Sequence, residues 1–260
     1  MSSKDVKLLE NSTAIILCGG RGTRLGALGK KIPKTLAKVN KREILWYILN
    51  HLKISNFKNI ILPLGYKGHL IKKFLKKNNN FGLNIKTINT GIRTNIGKRL
   101  SIISDKIKSK NFLLLNGDAI FRFDLKNIYK THCKKNLSVT FICGEFTYAY
   151  GTIGVKNKKI IDFKRNLVFR SLKIEGDENY QAFNYTGMSI IKTELLEKYD
   201  KFFKNSVNFE QEFYPKIIKR FPTEIVKVKG FWHSIDNMKD LDIINTDSVR
   251  NQKFKRLRNL

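Results

Sequence analysis

Along the first 150 residues, apolar runs of strand length alternate with longer stretches whose apolar positions recur at helical spacing. TAIILCGG (13–20) reads as a buried strand ending in a glycine turn. Residues 41–56 place Ile44, Leu45, Ile48 and Leu52 on one stripe, which predicts a helix. NIILPLGY (59–66) is strand-like, and GHLIKKFLKKN (68–78) predicts an amphipathic helix with Leu70, Ile71, Phe74 and Leu75 on one side. LNIKTIN (83–89) alternates as a strand does, and GKRLSIISDKIKS (97–109) returns to helical spacing. FLLLNGD (112–118) is a short apolar strand ending in a carboxylate; LSVTFIC (137–143) is a further strand.

This alternation predicts an α/β layered fold around a largely parallel sheet. Ligands of such sheets bind beyond the carboxyl ends of the strands. The glycine loop after Leu17 and the Asn116-Gly117-Asp118 turn both fall at such ends. Beyond about residue 150 the rhythm loosens. GTIGVKNKKIIDFKRN (151–166) predicts a β-hairpin turning at Asn157-Lys158, and FNYTGMSIIKTELLEKY (183–199) a strand followed by a helix. No Gly-, Ser- or Pro-rich linker and no repeat interrupts the chain, so it reads as one domain over 1–247 with a basic tail over 248–260.

Composition narrows the class. With 260 residues and 42% hydrophobic, the chain can bury one sizeable core. No run approaches the ~18 apolar residues of a membrane span, and the apolar run near the N-terminus is too short for a signal peptide. Cys18, Cys133 and Cys143 are odd in number and widely spaced, which fits neither a disulfide framework nor a zinc site. A cytoplasmic protein is the expectation. The net charge of +30 raises nucleic-acid binding as a possibility, but the basic residues are mostly scattered lysines without an RNA-binding or zinc-finger signature. Attraction to polyanionic small substrates is the favoured reading, and nucleic acid is not an expected partner.

The candidate chemistry begins with AIILCGGRGTRLGALGKKIPK (14–34). A P-loop fails here, because Gly29-Lys30 has Arg24 where the first Gly belongs and Lys31 where Ser or Thr belongs. A dinucleotide fingerprint fails too, since Leu25 stands at its last glycine. What remains is a strand, a tight glycine turn and two cations, Arg24 and Lys34. Glycines allow close backbone approach, and successive N–H groups form a nest for phosphate oxygens. Arg24 can add a bidentate fork and Lys34 a point charge. An ordinary strand-to-helix turn with exposed cations fits the same residues.

GGRGTRL followed by Pro33-Lys34 resembles the signature loop of the sugar-1-phosphate nucleotidyltransferases. The resemblance continues through 42–74, NGDAIFRFDL (116–125), YGTIGV (150–155), FNYTGMSII (183–191) and GFWHSIDNMKDL (230–241). Within the family, LGYKGHLIKKF, NTGIRTNIGKRL (89–100), FEQEF (209–213) and GFWHSID are most similar to the glucose-1-phosphate cytidylyltransferases, while NGDAIFRFDL also resembles the heptose and mannose guanylyltransferases. The resemblance implies a Rossmann-like fold with a small β-rich insertion on the sugar side. It also implies transfer of a nucleotidyl group from an NTP, CTP favoured, to a phosphorylated acceptor with release of pyrophosphate, and a homo-oligomer as one expectation.

The attacking oxygen in that reaction is already anionic, so what is needed is charge neutralisation and in-line positioning, with Mg²⁺ as cofactor. The resemblance assigns the metal to Asp118 and Asp236, the alternative for Asp236 being an N-cap of the helix near Met238. Arg24, Lys34 and Asp118 are the implied catalytic set. Leu17, Gly19, Gly20, Gly22, Thr23, Thr90, Gly91, Arg93, Arg99 and Gly117 are implied around the nucleotide, with Arg93 and Arg99 alternatively plain solvated charges. Gly151, Lys164, Arg165, Tyr185 and Thr186 are implied near the acceptor, and Tyr185 reads equally as core.

Two departures stand out. The family's F-x-E-K-P is Phe163-Lys164-Arg165-Asn166-Leu167 here, so a guanidinium replaces the carboxylate that receives sugar hydroxyls. That exchange favours an acceptor carrying an extra anion. The loop also reads Pro33-Lys34-Thr35 rather than P-K-P. A catalytically silent nucleotide-binding regulator and a basic nucleic-acid-binding protein are the competing classes.

Overall fold

Strands that are apolar at successive positions have no face to give to water, and they belong between two helical layers. The computed structural model, which describes residues 3–20, 22–148, 151–165, 167–175, 180–205 and 208–246, has that architecture. Its principal strands, beside six short ones of two or three residues, are β1 (Thr13–Leu17), β2 (Asn59–Leu64), β3 (Asn84–Asn89), β4 (Asn111–Asn116), β5 (Ala119–Arg122), β6 (Val139–Gly144), β7 (Thr152–Lys156), β8 (Lys159–Lys164), β9 (Asn184–Lys192), β10 (Thr223–Lys227) and β11 (Phe231–Ser234). Seven of them form one sheet in the order β10-β6-β9-β4-β1-β2-β3, in which only β9 runs antiparallel to its neighbours.

The two-residue period of the strands separates two cores. Ile16, Leu113 and Leu115 face one side, where they meet helices α1 (Ile44–Ile54), α2 (Gly68–Lys77), α4 (Leu125–Lys134) and α5 (Met238–Thr246). Ile15, Phe112 and Leu114 face the other, packing on α3 (Ile96–Ile103) and on the aromatic group Phe203, Phe209 and Phe213. Each of these strand residues is essentially removed from water, worth roughly 1.5–3 kcal/mol per large side chain. Among the described residues no helix is long and apolar enough to cross a membrane.

Two expectations are refined. The helix expected over 97–109 ends at Ile103 and continues as one tight turn, Ser104–Lys106. The hairpin over 151–166 forms as β7 and β8, with Asn157 and Lys158 both at positive φ, as a two-residue type I′ connection demands. It stands as a separate two-stranded ribbon rather than as part of the main sheet. Asn166 and the tail over 248–260 lie outside the described residues.

Candidate active site

The carboxyl ends of β1 and β4 sit side by side, because Leu17 pairs with Asn116 in the parallel register. The Gly117 amide donates to the Leu17 carbonyl at 3.2 Å, tying the two loops together. A Cβ at Gly117 would lie 2.6 Å from Thr35 Cγ2 and 2.8 Å from the Leu17 oxygen, so only glycine fits where the chain turns into Asp118. Gly22 sits at φ +62° in the left-handed region, which closes the first loop before the turn Thr23–Leu25.

Lys34 is the centre of the cluster. Its half-hidden ammonium donates to Asp118 Oδ2 at 2.8 Å and to Asp236 Oδ1 at 3.0 Å. Arg24, exposed, brings Nη1 to 3.5 Å from the same Asp236 oxygen, and the Ser234 hydroxyl donates to Asp236 Oδ2 at 3.0 Å. Two carboxylates 118 positions apart in the chain therefore converge on one cation. The reason is local: β11 pairs antiparallel with β5, and the Ile235 amide donates to the Asp118 carbonyl at 2.9 Å. Burial pushes the Asp236 carboxyl up, but the Lys34 hydrogen bond and charge, Ser234 and Arg24 outweigh it and hold the group below the ordinary aspartate range.

The capping alternative for Asp236 does not describe its side chain. Asn237 accepts from the Asp240 amide at 3.1 Å, and Asp240 accepts in turn from the amides of Asp236 and Asn237. The Asp236 carboxylate is left facing Lys34.

Arg99 is not a solvated charge. It is buried, and its guanidinium donates to the carbonyls of Leu64 (3.3 Å) and Gly19 (3.2 Å) and to the Thr90 hydroxyl. Thr90 also donates to the Leu64 carbonyl at 2.9 Å. Arg99 thus clamps the loops that follow β1, β2 and β3. A cavity of about 310 Å³ opens beside it, lined by Leu17, Gly19, Gly20, Gly22, Lys34, Gly117 and Asp118 among the expected residues. Asn116, of the turn already read as a ligand-binding strand end, lines it as well, whereas sequence reasoning gave no role to Thr35, Thr94 or the first turn of α3 at Asn95–Ile96, which also line it. Asn95 caps that helix by accepting from the Lys98 amide at 2.8 Å, and the positive end of α3 adds to the cavity's attraction for anions. An Asn two residues before a glycine in a helical pattern was the available signal.

Other expected residues lie elsewhere. Arg93 is exposed and does not line the cavity. The Thr186 hydroxyl donates to the Ile142 carbonyl at 2.7 Å, and the Tyr185 hydroxyl meets that of Tyr214 at 3.1 Å, so both turn inward; burial pushes Tyr185 up to about 12. Gly151, Lys164 and Arg165 belong to the exposed β7–β8 ribbon, where Lys164 pairs with Asp162 at 2.6 Å. A larger cavity, about 1360 Å³, surrounds His51, Arg122, Phe183 and Lys227 and contains neither site aspartate.

The donor set suits a hard divalent cation. Asp118 and Asp236 supply two carboxylates, and among the described residues no third His, Cys, Asp or Glu joins them. Mg²⁺ characteristically takes one or two carboxylates and completes its shell with water and substrate phosphates.

Residues 13–164 match the nucleotidyl transferase family. A protein of Bacillus subtilis (strain 168) described as "Probable glucose-1-phosphate cytidylyltransferase" is 27% identical over 252 residues, covering 89% of this chain and 94% of its own. D-glycero-alpha-D-manno-heptose 1-phosphate guanylyltransferase of Campylobacter jejuni subsp. jejuni is 32% identical over 157 residues, covering 60% of this chain and 69% of its own. The crystal structure of HddC from Yersinia pseudotuberculosis complexed with GMP-PN superposes with a TM-score of 0.66 at 20% identity, over 89% of this chain and 96% of that one, which shows a shared fold.

Proposed function

The chain belongs to the nucleotidyl transferase family, and from that premise we propose that it joins the nucleotidyl group of an NTP, CTP favoured, to a sugar-1-phosphate or similarly phosphorylated acceptor. An acceptor phosphate oxygen forms the new bond to the α-phosphorus, the α–β phosphoanhydride breaks, and pyrophosphate leaves with its electrons. The observation that carries the reading is the convergence of Asp118 and Asp236 on Lys34 beside the glycine loop. The activity belongs to nucleotide-sugar biosynthesis.

Each residue has a task that its position supports. The glycine-loop amides receive phosphate oxygens, and Arg24 at the mouth draws in the triphosphate. Lys34 is poised to exchange its two carboxylates for the phosphates of both substrates, neutralising the repulsion between them as they approach. Asp118 and Asp236 would hold Mg²⁺, which when bound supplies Lewis-acid neutralisation of the triphosphate. No general base is required, since the nucleophile is already an anion.

CTP is favoured because a relative matched over 94% of its own length is described as a probable glucose-1-phosphate cytidylyltransferase. The shorter match to a guanylyltransferase, at higher identity, makes GTP with a heptose- or mannose-type acceptor the second reading. Arg165 in the place of the family's carboxylate favours an acceptor with an additional anion by resemblance alone, since it lies on the exposed β7–β8 ribbon outside the cavity. Four nucleoside triphosphates crossed with glucose-, mannose-, heptose- and uronate-1-phosphates, read as Mg²⁺-dependent pyrophosphate release, test the proposal. Turnover is expected with one nucleotide, CTP, and a minority of acceptors. Nucleotide binding without pyrophosphate in any combination would leave a regulator instead.

A further inference from the structure

The order of the sheet divides the site in two. From β1 the chain steps outward to β2 and β3, then returns to lay β4 on the other flank of β1. The strand order therefore reverses between β1 and β4, which is where open α/β sheets hold their ligands. The glycine loop, Thr90 and the Arg99 clamp all stand on the β1–β2–β3 half. A nucleotide seated there leaves its reaction partner to approach Asp118 from the β9 half.

On that half β9 carries a bulge beside the end of β4. Its pairing with β4 starts at Met188, opposite Leu115, and its register with β6 slips between Tyr185 and Met188. Gly187, inside the bulge, sits at φ +75°. A Cβ there would collide with the Asn116 amide and lie 3.0 Å from Asn116 Cγ. The bulge and the glycine thus make room for the Asn116 side chain to lie across β9. Half-buried Asn116 lines the cavity two positions before Asp118, and among the described residues its amide takes part in no hydrogen bond. Tyr185 and Thr186 differ: their hydroxyls meet Tyr214 and the Ile142 carbonyl.

We propose that Asn116 determines acceptor specificity, its amide reading a ring hydroxyl of a polyhydroxylated acceptor. The proposal rests on the nucleotidyl-transfer reading above and names the acceptor class for it. A carboxamide is uncharged and both donates and accepts, as a hydroxyl does, whereas a carboxylate or phosphate accepts alone and would leave half of the amide unmatched. Two positions of extended chain span at most roughly 7 Å. A group held by Asn116 is therefore within one sugar ring of a phosphate held at Asp118, and a hydroxyl near the phosphate-bearing carbon is the one in reach. A site shaped to bond a hydroxyl rejects the analogue that lacks it, because the buried amide is then left unpaired. Having no charge, Asn116 adds nothing to the pull on the triphosphate. Its loss should fall on the acceptor and spare the nucleotide.

Steady-state pyrophosphate release tests this with wild type, Asn116→Ala and the near-isosteric Asn116→Leu, circular dichroism confirming that the variants fold. The acceptor is the sugar-1-phosphate that wild type turns over, together with its singly deoxygenated forms. Wild type should lose about 10- to 100-fold in kcat/KM on one deoxygenated form. Both variants should lose a similar factor on the parent acceptor and no longer distinguish it from that form. The nucleotide KM should move less than about threefold. A rise in nucleotide KM in place of the acceptor effect overturns the proposal, as do variants that discriminate among the deoxygenated acceptors as wild type does. A wild type indifferent to every deoxygenation overturns it as well. These results leave nucleotidyl transfer standing; a wild type without turnover on any pair removes that reading and this proposal with it.

Discussion

A lysine held by two carboxylates, with an arginine at the rim, keeps a cation site charge-balanced until a stronger cation and its phosphates arrive. Lys34 has that arrangement, and its hydrogen bond and charge help hold the Asp236 carboxyl below the ordinary aspartate range. Other ionisable side chains act on stability rather than chemistry. His132 is buried between Thr140 Oγ1 at 2.8 Å and Asn111 Oδ1 at 3.2 Å, and burial lowers its pKa to about 4; burial brings His51 to about 4 as well. An unfolded imidazole binds its proton near pH 6.5, so the unfolded chain takes up more protons in the interval between. Stability present above about pH 6.5 is therefore lost as pH falls toward 4, on the order of 3 kcal/mol for such a residue. Urea midpoints at pH 7.5 and pH 5 should drop for wild type and drop less for His132→Gln. Equal drops would refute this account of His132.

At the scale of elements, three loops from three parallel strands are fastened by one side chain from α3. Arg99→Met removes donors to Gly19, Leu64 and Thr90 at once, and its effect should fall on the glycine loop that Gly19 belongs to. The nucleotide KM is expected to rise about 10- to 100-fold, with kcat less affected and partial recovery in Arg99→Lys. An unchanged KM in a folded Arg99→Met protein would show that the clamp does not shape the cradle. Period and apolar content made the main-sheet strands of the first 150 residues and helices α1, α2 and α3 legible, because those patterns report directly on which faces are buried; α4 and β5 were not read. Arg99 was not legible in this way. A charged residue in a helical pattern reads as solvated, and only the tertiary meeting of three strand ends supplies the acceptors that let it be buried. For Tyr185 the sequence left core and acceptor contact open, and its bond to Tyr214 fits the core reading; strand alternation does not tell which side meets a ligand and which the packed face of Tyr214 and Ile142.

For the whole molecule, the two aspartates were legible as a pair only through resemblance, since nothing in spacing joins positions 118 and 236; the β5–β11 pairing is what does so. The Lys34 bridge between them was not foreseen, because a cation assigned to phosphates says nothing of what it holds in their absence. The hairpin was read correctly as β7 and β8, yet its exposed apolar face has the same sequence pattern as a strand buried in a core. The charge of +30 gives the surface a general attraction for polyanions, while the cavity beside the glycine loop concentrates that attraction at one place.

Pyrophosphate release by Asp118→Asn and Asp236→Asn, measured with saturating Mg²⁺ on the NTP and acceptor pair that wild type turns over, reads the convergence of these carboxylates most directly. Each variant should fold and lose at least about 100-fold in kcat/KM, an effect on the scale of removing a charge-stabilising group from a transition state. Wild-type turnover in either folded variant would contradict the assignment of both carboxylates to one metal–triphosphate site.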